Sequence, residues 1–370
     1  MAVYRIFSDY DTFISTLYPT ANNGLDEMIE VGGFPFEGSP HTHRGLITFP
    51  TSEIRTLVNN TIGNTNFSAS LNLKLATAYE LPTTYSLECY PVYESWQNGT
   101  GKFEDKATNK TGASWYYRKA NQVDRWNINT ETLPSGSTFR TGSIFLGGGN
   151  WYTASNGIDL AVTQSHDINS SHDALFNVTN AVKLHYSGSI SNNGFIIKLE
   201  NGLEFSQTAS VLLQYFSRDT HTLYPPYLDI KWNDFTYTTG SNTIVSVTNP
   251  IVNVKNNRGT YPDIGKQRFR ISARDRYPTR TFTTSSIYLT EKYLPKASYW
   301  GLRDEYTEEM VIPFDTTYTQ ISGDSEGNYF DIYMNGLQPE RYYRILIKTT
   351  LDSSTTILSD TNIFKVIRHG

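Results

Sequence analysis

Ser68-Ala69-Ser70-Leu71-Asn72-Leu73-Lys74-Leu75-Ala76 is the stretch that decides the fold class. Leu71, Leu73 and Leu75 fall at every second position, with Asn72 and Lys74 between them. Successive side chains of an extended strand point to opposite faces, so this spacing makes one apolar face and one polar face. A helix would need its apolar residues three and four positions apart. Working outward, comparable runs recur at residues 4–7, 12–14, 28–31, 44–49, 85–94, 143–146, 158–162, 194–199, 211–218 and 227–232, with turn residues such as Asn22-Asn23-Gly24 between them. Helical spacing is confined to residues 51–58 and 177–186, where Val178, Ala181, Val182 and His185 would share a face. Both segments are expected as short covers on β-structure.

The composition agrees. Tyr occurs 26 times and Met 4 times, and Tyr and Thr suit pleated, half-buried surfaces. A length of 370 residues predicts two domains. No apolar run approaches the roughly 20 residues of a membrane span. The opening Met1-Ala2-Val3-Tyr4-Arg5-Ile6-Phe7 lacks the pattern of a secretory signal, so none is expected. Cys89, the sole cysteine, excludes an intrachain disulfide and reads as a buried structural thiol. A net charge of −5 makes a nucleic-acid partner unexpected.

The pattern predicts two domains, both all-β. The first covers residues 1–235, with a long aromatic-bearing loop at 98–149. A linker at 236–243 leads to a second domain at 244–370. Residues 9–232 resemble the DNRLRE-type jelly-roll β-sandwich family, which is related to carbohydrate-binding jelly rolls. The resemblance rests on Asp9-Tyr10-Asp11-Thr12-Phe13-Ile14, Glu30-Val31-Gly32-Gly33, Arg44-Gly45-Leu46-Ile47-Thr48-Phe49, Val92-Tyr93-Glu94-Ser95-Trp96 and Pro225-Pro226-Tyr227-Leu228, taken in order. In the second domain, Leu337-Gln338-Pro339-Glu340-Arg341-Tyr342-Tyr343 resembles the tyrosine corner of fibronectin-type and immunoglobulin-like sandwiches. That resemblance implies a bond from the Tyr343 hydroxyl to backbone near Leu337, with Glu340 where such corners usually carry Gly. The style of the whole chain is similar to virion structural proteins of contractile-tailed bacteriophages, those of cyanobacteria in particular.

Several groups are candidates for chemistry. His41-Thr42-His43 places two imidazoles on one face of an extended segment, the pattern of a metal pair, but no Cys or carboxylate nearby completes a site. His166 and His172 each precede an Asp and also lack a third ligand. No metal and no cofactor is expected. Glu88 and Glu94 would stand about 20 Å apart on an extended strand, too far for a glycosidase pair. No nucleophile elbow or phosphate-binding glycine loop occurs, so no catalytic residues are assigned. Trp115, Tyr116 and Trp126, in the long loop, are the candidate sugar-stacking platform.

Charge is distributed in blocks. Residues 255–280 hold eight bases against Asp263 and Asp275, and Arg268, Arg270, Arg274 and Arg276 would share one strand face, with Arg280 beyond them. Residues 304–331 hold eight acids and no base, beginning Asp304, Glu305, Glu308 and Glu309. Such blocks fit either head-to-tail contact between copies or pairing across neighbouring strands of one domain. The first outcome makes these residues an assembly interface. The chain is thus expected to be a virion component, in the tail, neck, baseplate or a decoration, assembled in the host cytoplasm with other copies and other virion proteins. The alternative is an adhesin module that recognises a cell-surface glycan.

Overall fold

The computed structural model describes residues 2–108, 110–120, 123–126, 138–141, 147–208, 210–240, 243–245, 250–255, 257–279, 291–358 and 362–369. The chain is all-β, with a few short helices, and divides into two compact units. One is Ile6–Asp229; the other joins Met1–Arg5 to Ile230–Gly370. The opening residues therefore belong with the C-terminal unit, where Arg5 Nη2 donates to the Val311 carbonyl at 3.0 Å. Thr236 and Thr238, expected in a linker, are bonded within that unit as well. The Thr238 N–H donates to the Gly323 carbonyl and the Gly323 N–H to that of Thr236, both at 2.9 Å.

The first unit is organised around an eight-stranded sheet. Its strands run Val162–Asp167, Thr84–Pro91, Phe195–Leu199, Ser39–Thr48, Met28–Phe36, Val211–Phe216 and Leu75–Tyr79, with Tyr10–Ser15 also paired to Ser39–Thr48. In a second sheet Phe67–Leu73 pairs antiparallel with Ala174–Asn177. The alternating run at residues 68–76 is divided between these two sheets. Phe67–Leu73 keeps the period, burying Phe67, Ala69, Leu71 and Leu73. At Lys74 the chain bends, and Leu75, only half-buried, begins a strand of the larger sheet. The bend is held by Asp173, whose carboxylate accepts the Leu75 N–H at 2.9 Å and pairs with Lys74 at 3.0 Å.

In the strand Phe195–Leu199 every residue is buried, which means both faces of the large sheet are covered. Cross-strand partners share a face. Ile47, Gly45, Ile197, Leu199, Leu87 and Cys89 are linked this way on one face, and the Cys89 thiol is buried as expected. On the other face Ile14, Leu46 and Ile196 meet Val92, Trp96, Ala113, Trp115, Trp126 and Trp151 in a second core. Aromatic side chains from the long loop therefore supply the cover that this face needs. The helices Thr51–Leu57 and Thr179–Ser187 stand where helical spacing placed them.

The C-terminal unit has two sheets. One orders Ile251–Lys255, Lys266–Arg274, Gly327–Tyr333 and Ser322–Asp324. The other orders Thr260–Pro262, Ile363–Ile367, Tyr342–Leu351, Ser298–Asp304 and Met310–Ile312, with Ser354–Leu358 also paired to Tyr342–Leu351. Phe269, Trp300, Phe330, Tyr343 and Phe364 are part of its core. The Tyr343 hydroxyl donates to the Gln338 carbonyl at 3.0 Å and accepts the Gln338 N–H at 2.9 Å. Glu340, at the usual glycine position of a tyrosine corner, has φ +64°, the left-handed conformation that favours glycine.

Candidate functional site

The second face of the large sheet carries a charged cluster that sequence reasoning missed. Period two puts Arg44 with Leu46, Lys198 with Ile196, and Glu88 with Tyr90, all toward the long loop. Register sets Lys198 directly opposite Glu88. Just beyond that strand, the short helix Asn201–Glu204 brings in a second carboxylate.

Arg44 is fully buried and Glu204 is 1% exposed. The guanidinium donates from Nε to Glu204 Oε1 at 2.5 Å and from Nη2 to Glu204 Oε2 at 2.9 Å, a fork-to-fork pair. Its Nη1 donates to the Gly148 carbonyl at 2.6 Å. The rings of Trp115 and Trp151 lie 4.8 and 5.4 Å from the guanidinium carbon, positioned for cation–π attraction. Lys198, 1% exposed, reaches Glu88 Oε2 at 2.9 Å and Glu204 Oε2 at 3.3 Å. Two cations thus meet two carboxylates, so the cluster is neutral. Charges this enclosed persist only when paired and hydrogen-bonded.

The cluster also fastens the loop. The Gly148 N–H donates to the Trp115 carbonyl at 2.7 Å while its own carbonyl holds Arg44. A Cβ at Gly148 would lie 2.6 Å from both Arg44 Nη1 and the Trp115 ring, and φ is +83°, so glycine alone fits. Asn22, in the Asn22-Asn23-Gly24 turn, is a second fastening. Its Nδ2 donates to the carbonyls of Asn98 and Ala113 at 2.6 and 2.8 Å, and its Oδ1 accepts the Gly101 N–H at 2.9 Å.

This arrangement corrects the sugar-stacking expectation. Trp115 is fully buried and Trp126 is 2% exposed, its Nε1 donating to the Ser114 carbonyl at 2.9 Å. Neither offers a ring face to a ligand. Tyr116 is half-buried, with the Arg125 guanidinium 5.8 Å from its ring centre.

His43 has a carboxylate partner after all. Across the hairpin, Glu30 Oε2 lies 2.6 Å from its Nδ1, and Gln214 donates to Glu30 Oε1 at 2.6 Å. Burial pushes the Glu30 carboxyl up, but the bond and charge of His43 and the Gln214 bond outweigh it and hold it low. The His43 ring stacks on Phe13 and meets the edges of Phe34 and Phe103, all within 5.7 Å. His41 instead contacts Thr16 Oγ1 at 3.3 Å. The His166 and His172 rings lie 4.9 and 5.7 Å from that of Tyr85 and 5.8 Å from each other. Among the described residues no group of three or more His, Cys, Asp or Glu has the placement to hold a metal ion.

Several residues of the charge blocks pair within the C-terminal unit, the second of the two outcomes open from the sequence. Register places Arg268 opposite Asp331, and the two make bonds of 2.9 and 3.0 Å. Arg270 binds Asp324 at 2.7 and 3.0 Å and Glu326 at 2.7 Å. Asp304 takes Arg341 at 2.7 Å, and Glu305 takes Arg344 at 2.7 Å. Arg274 donates to the Asp275 carbonyl at 3.2 Å, Arg276 is exposed, and Glu308 and Glu309 occupy an exposed turn. Arg280 lies outside the described residues.

No protein-family model and no curated protein matches the chain. Among solved structures, a DUF4785 family protein from Legionella pneumophila is similar at 10% identity with a TM-score of 0.18. The match covers 100% of this chain, which spans 62% of that protein's length, and a score so low carries no argument about fold or role.

Proposed function

We propose that the chain is a structural component of a tailed-phage virion, a non-enzymatic module of the tail, neck, baseplate or a decoration. In this reading the first unit is a jelly-roll β-sandwich of DNRLRE type and the second an immunoglobulin- or fibronectin-like sandwich. The tyrosine-corner bonds between Tyr343 and Gln338 support the second assignment. One observation carries the functional reading: the reactive-looking groups are spent on holding the protein together. Arg44, Lys198, Glu88 and Glu204 neutralise one another, and the loop tryptophans fill a core. Long loops that serve recognition usually keep their aromatic residues accessible. A loop used as core favours a rigid building block.

Attachment then rests on surface other than the paired charges. In the C-terminal unit Tyr306 and Tyr342 are exposed and meet edge to face at 5.9 Å, and exposed tyrosines are frequent anchors of protein interfaces. The test is particle association. Gradient-purified phage particles from a lysate encoding the chain should contain it by mass spectrometry and bind gold-labelled antibody raised against it. Recovery only from the soluble fraction, with bare particles, overturns the proposal.

A further inference from the structure

Lys198 has more oxygen around it than an ion pair requires. Its Nζ lies 2.6 Å from the Leu199 carbonyl, 2.9 Å from Glu88 Oε2, 3.1 Å from Asn201 Oδ1 and 3.3 Å from Glu204 Oε2. An ammonium has three hydrogens to donate, so four oxygens exceed them. The odd member is Asn201, a neutral amide at the start of the helix Asn201–Glu204. Its residue is exposed, and its Nδ2 donates to no described residue. A buried primary amine, a carboxamide in contact with it and carboxylates able to carry a proton are together the reactants of an amide exchange.

We propose that Lys198 and Asn201 join in an intramolecular isopeptide bond, with Glu88 and Glu204 as proton carriers. Lys198 first passes an ammonium proton to Glu88, the nearer carboxylate. The freed lone pair on Nζ attacks Asn201 Cγ, and the Nζ–Cγ bond forms. The Cγ–Nδ2 bond then breaks, and Nδ2 leaves as ammonia after taking up the proton that the attacking nitrogen sheds through the carboxylates. Lysine ammonium plus carboxamide thus gives secondary amide plus ammonium, with no change of oxidation state and no further reagent. Because Asn201 is exposed, the ammonia escapes to solvent and the step does not reverse.

The bond ties the end of the strand Phe195–Leu199 to the helix that positions Glu204. Arg44 keeps its fork on Glu204. Glu88, whose side chain is 19% exposed, retains Tyr90 at 3.0 Å and contact with water.

Intact mass spectrometry of the purified, denatured full chain tests this. The expected mass is about 17 Da below that of the sequence, the loss of one ammonia. Trypsin should fail to cut after Lys198, and tandem spectra should show residues 198 and 201 linked. Asn201→Ala alters an exposed side chain and should restore both full mass and cleavage at Lys198; Lys198→Arg should restore full mass. Asn201 precedes Gly202, and a succinimide there would also lose ammonia, but it needs no lysine. A deficit that persists in Lys198→Arg therefore overturns the proposal, as does full sequence mass with normal cleavage at Lys198 in the unaltered protein. Should Lys198→Arg not fold, Asn201→Ala and the cleavage pattern decide alone.

Discussion

Replacing Arg44 with Met keeps most of the side-chain volume and removes the charge. The hydrogen bonds that disappear include two to Glu204 and one to the Gly148 carbonyl. Glu204 is left in an enclosed site with the Lys198 nitrogen beside it at 3.3 Å. Breaking a buried pair from one side typically costs about 3–5 kcal/mol, since the surviving charge stays out of water. Arg44→Met and Glu204→Leu should each lower the stability of the first unit by an amount in that range. The double variant Arg44→Met/Glu204→Leu should recover much of the loss, because two apolar side chains leave no stranded charge. A coupling of about 2–3 kcal/mol is expected from the double-mutant cycle. Urea unfolding followed by tryptophan fluorescence suits the measurement, since Trp115 and Trp151 lie against the guanidinium. A single-variant cost below about 1 kcal/mol, or a double variant as unstable as the sum of the singles, would refute the inference that pairing rather than packing holds this face.

Three further outcomes are expected. Burial, aided by the charge of Asp219, raises the Asp11 carboxyl to about 7 against opposing bonds from the Arg218 N–H and Ser8. Its folded value exceeds its unfolded one, so its stabilising contribution is full below about pH 4 and falls by about 1.4 kcal/mol per pH unit as pH rises toward the folded value; Asp11→Asn should flatten the urea midpoint across that window, and an unchanged slope in the variant counts against it. Tyr343→Phe strips both bonds from Gln338 in a buried corner and should cost about 1–3 kcal/mol in the C-terminal unit's unfolding transition, whereas no loss would show the corner to be idle. Because Arg268, Arg270, Asp304 and Glu305 are paired within one chain, light-scattering mass should be the same in about 50 mM and about 1 M salt, although the screening length shortens from roughly 14 to roughly 3 Å; a mass that drops at high salt would restore the charge blocks as an interface.

The strand pattern was legible because period two is local. Leu71 and Leu73 announced their face, and Phe67–Leu73 buries it. The same locality misled at Leu75, because alternation continues unbroken in sequence while Asp173, 98 residues away, bends the chain into another sheet. The charged cluster had no local sign of its partners: Arg44 and Glu204 are 160 residues apart. A hint did exist in Phe195-Ile196-Ile197-Lys198-Leu199, where apolar residues on both faces demand two covers and a lysine among them demands a counter-charge. By that logic Trp115 and Trp126 become the second cover, although a polar neighbourhood made them look like a surface platform. For the charge blocks the residue types left two outcomes, and the pairing of Arg268 with Asp331 is visible only in strand register.

The clasp of Gly148 on Arg44 also constrains how this protein can change over generations. Glycine at 148 packs on arginine at 44, which pairs with glutamate at 204, which in turn pairs with lysine at 198. Descendants should therefore keep the quartet whole or lose it together, replaced by apolar residues and a differently shaped loop. Exchanging residues 98–149 between two such lineages would fail unless positions 44, 198 and 204 travelled with them.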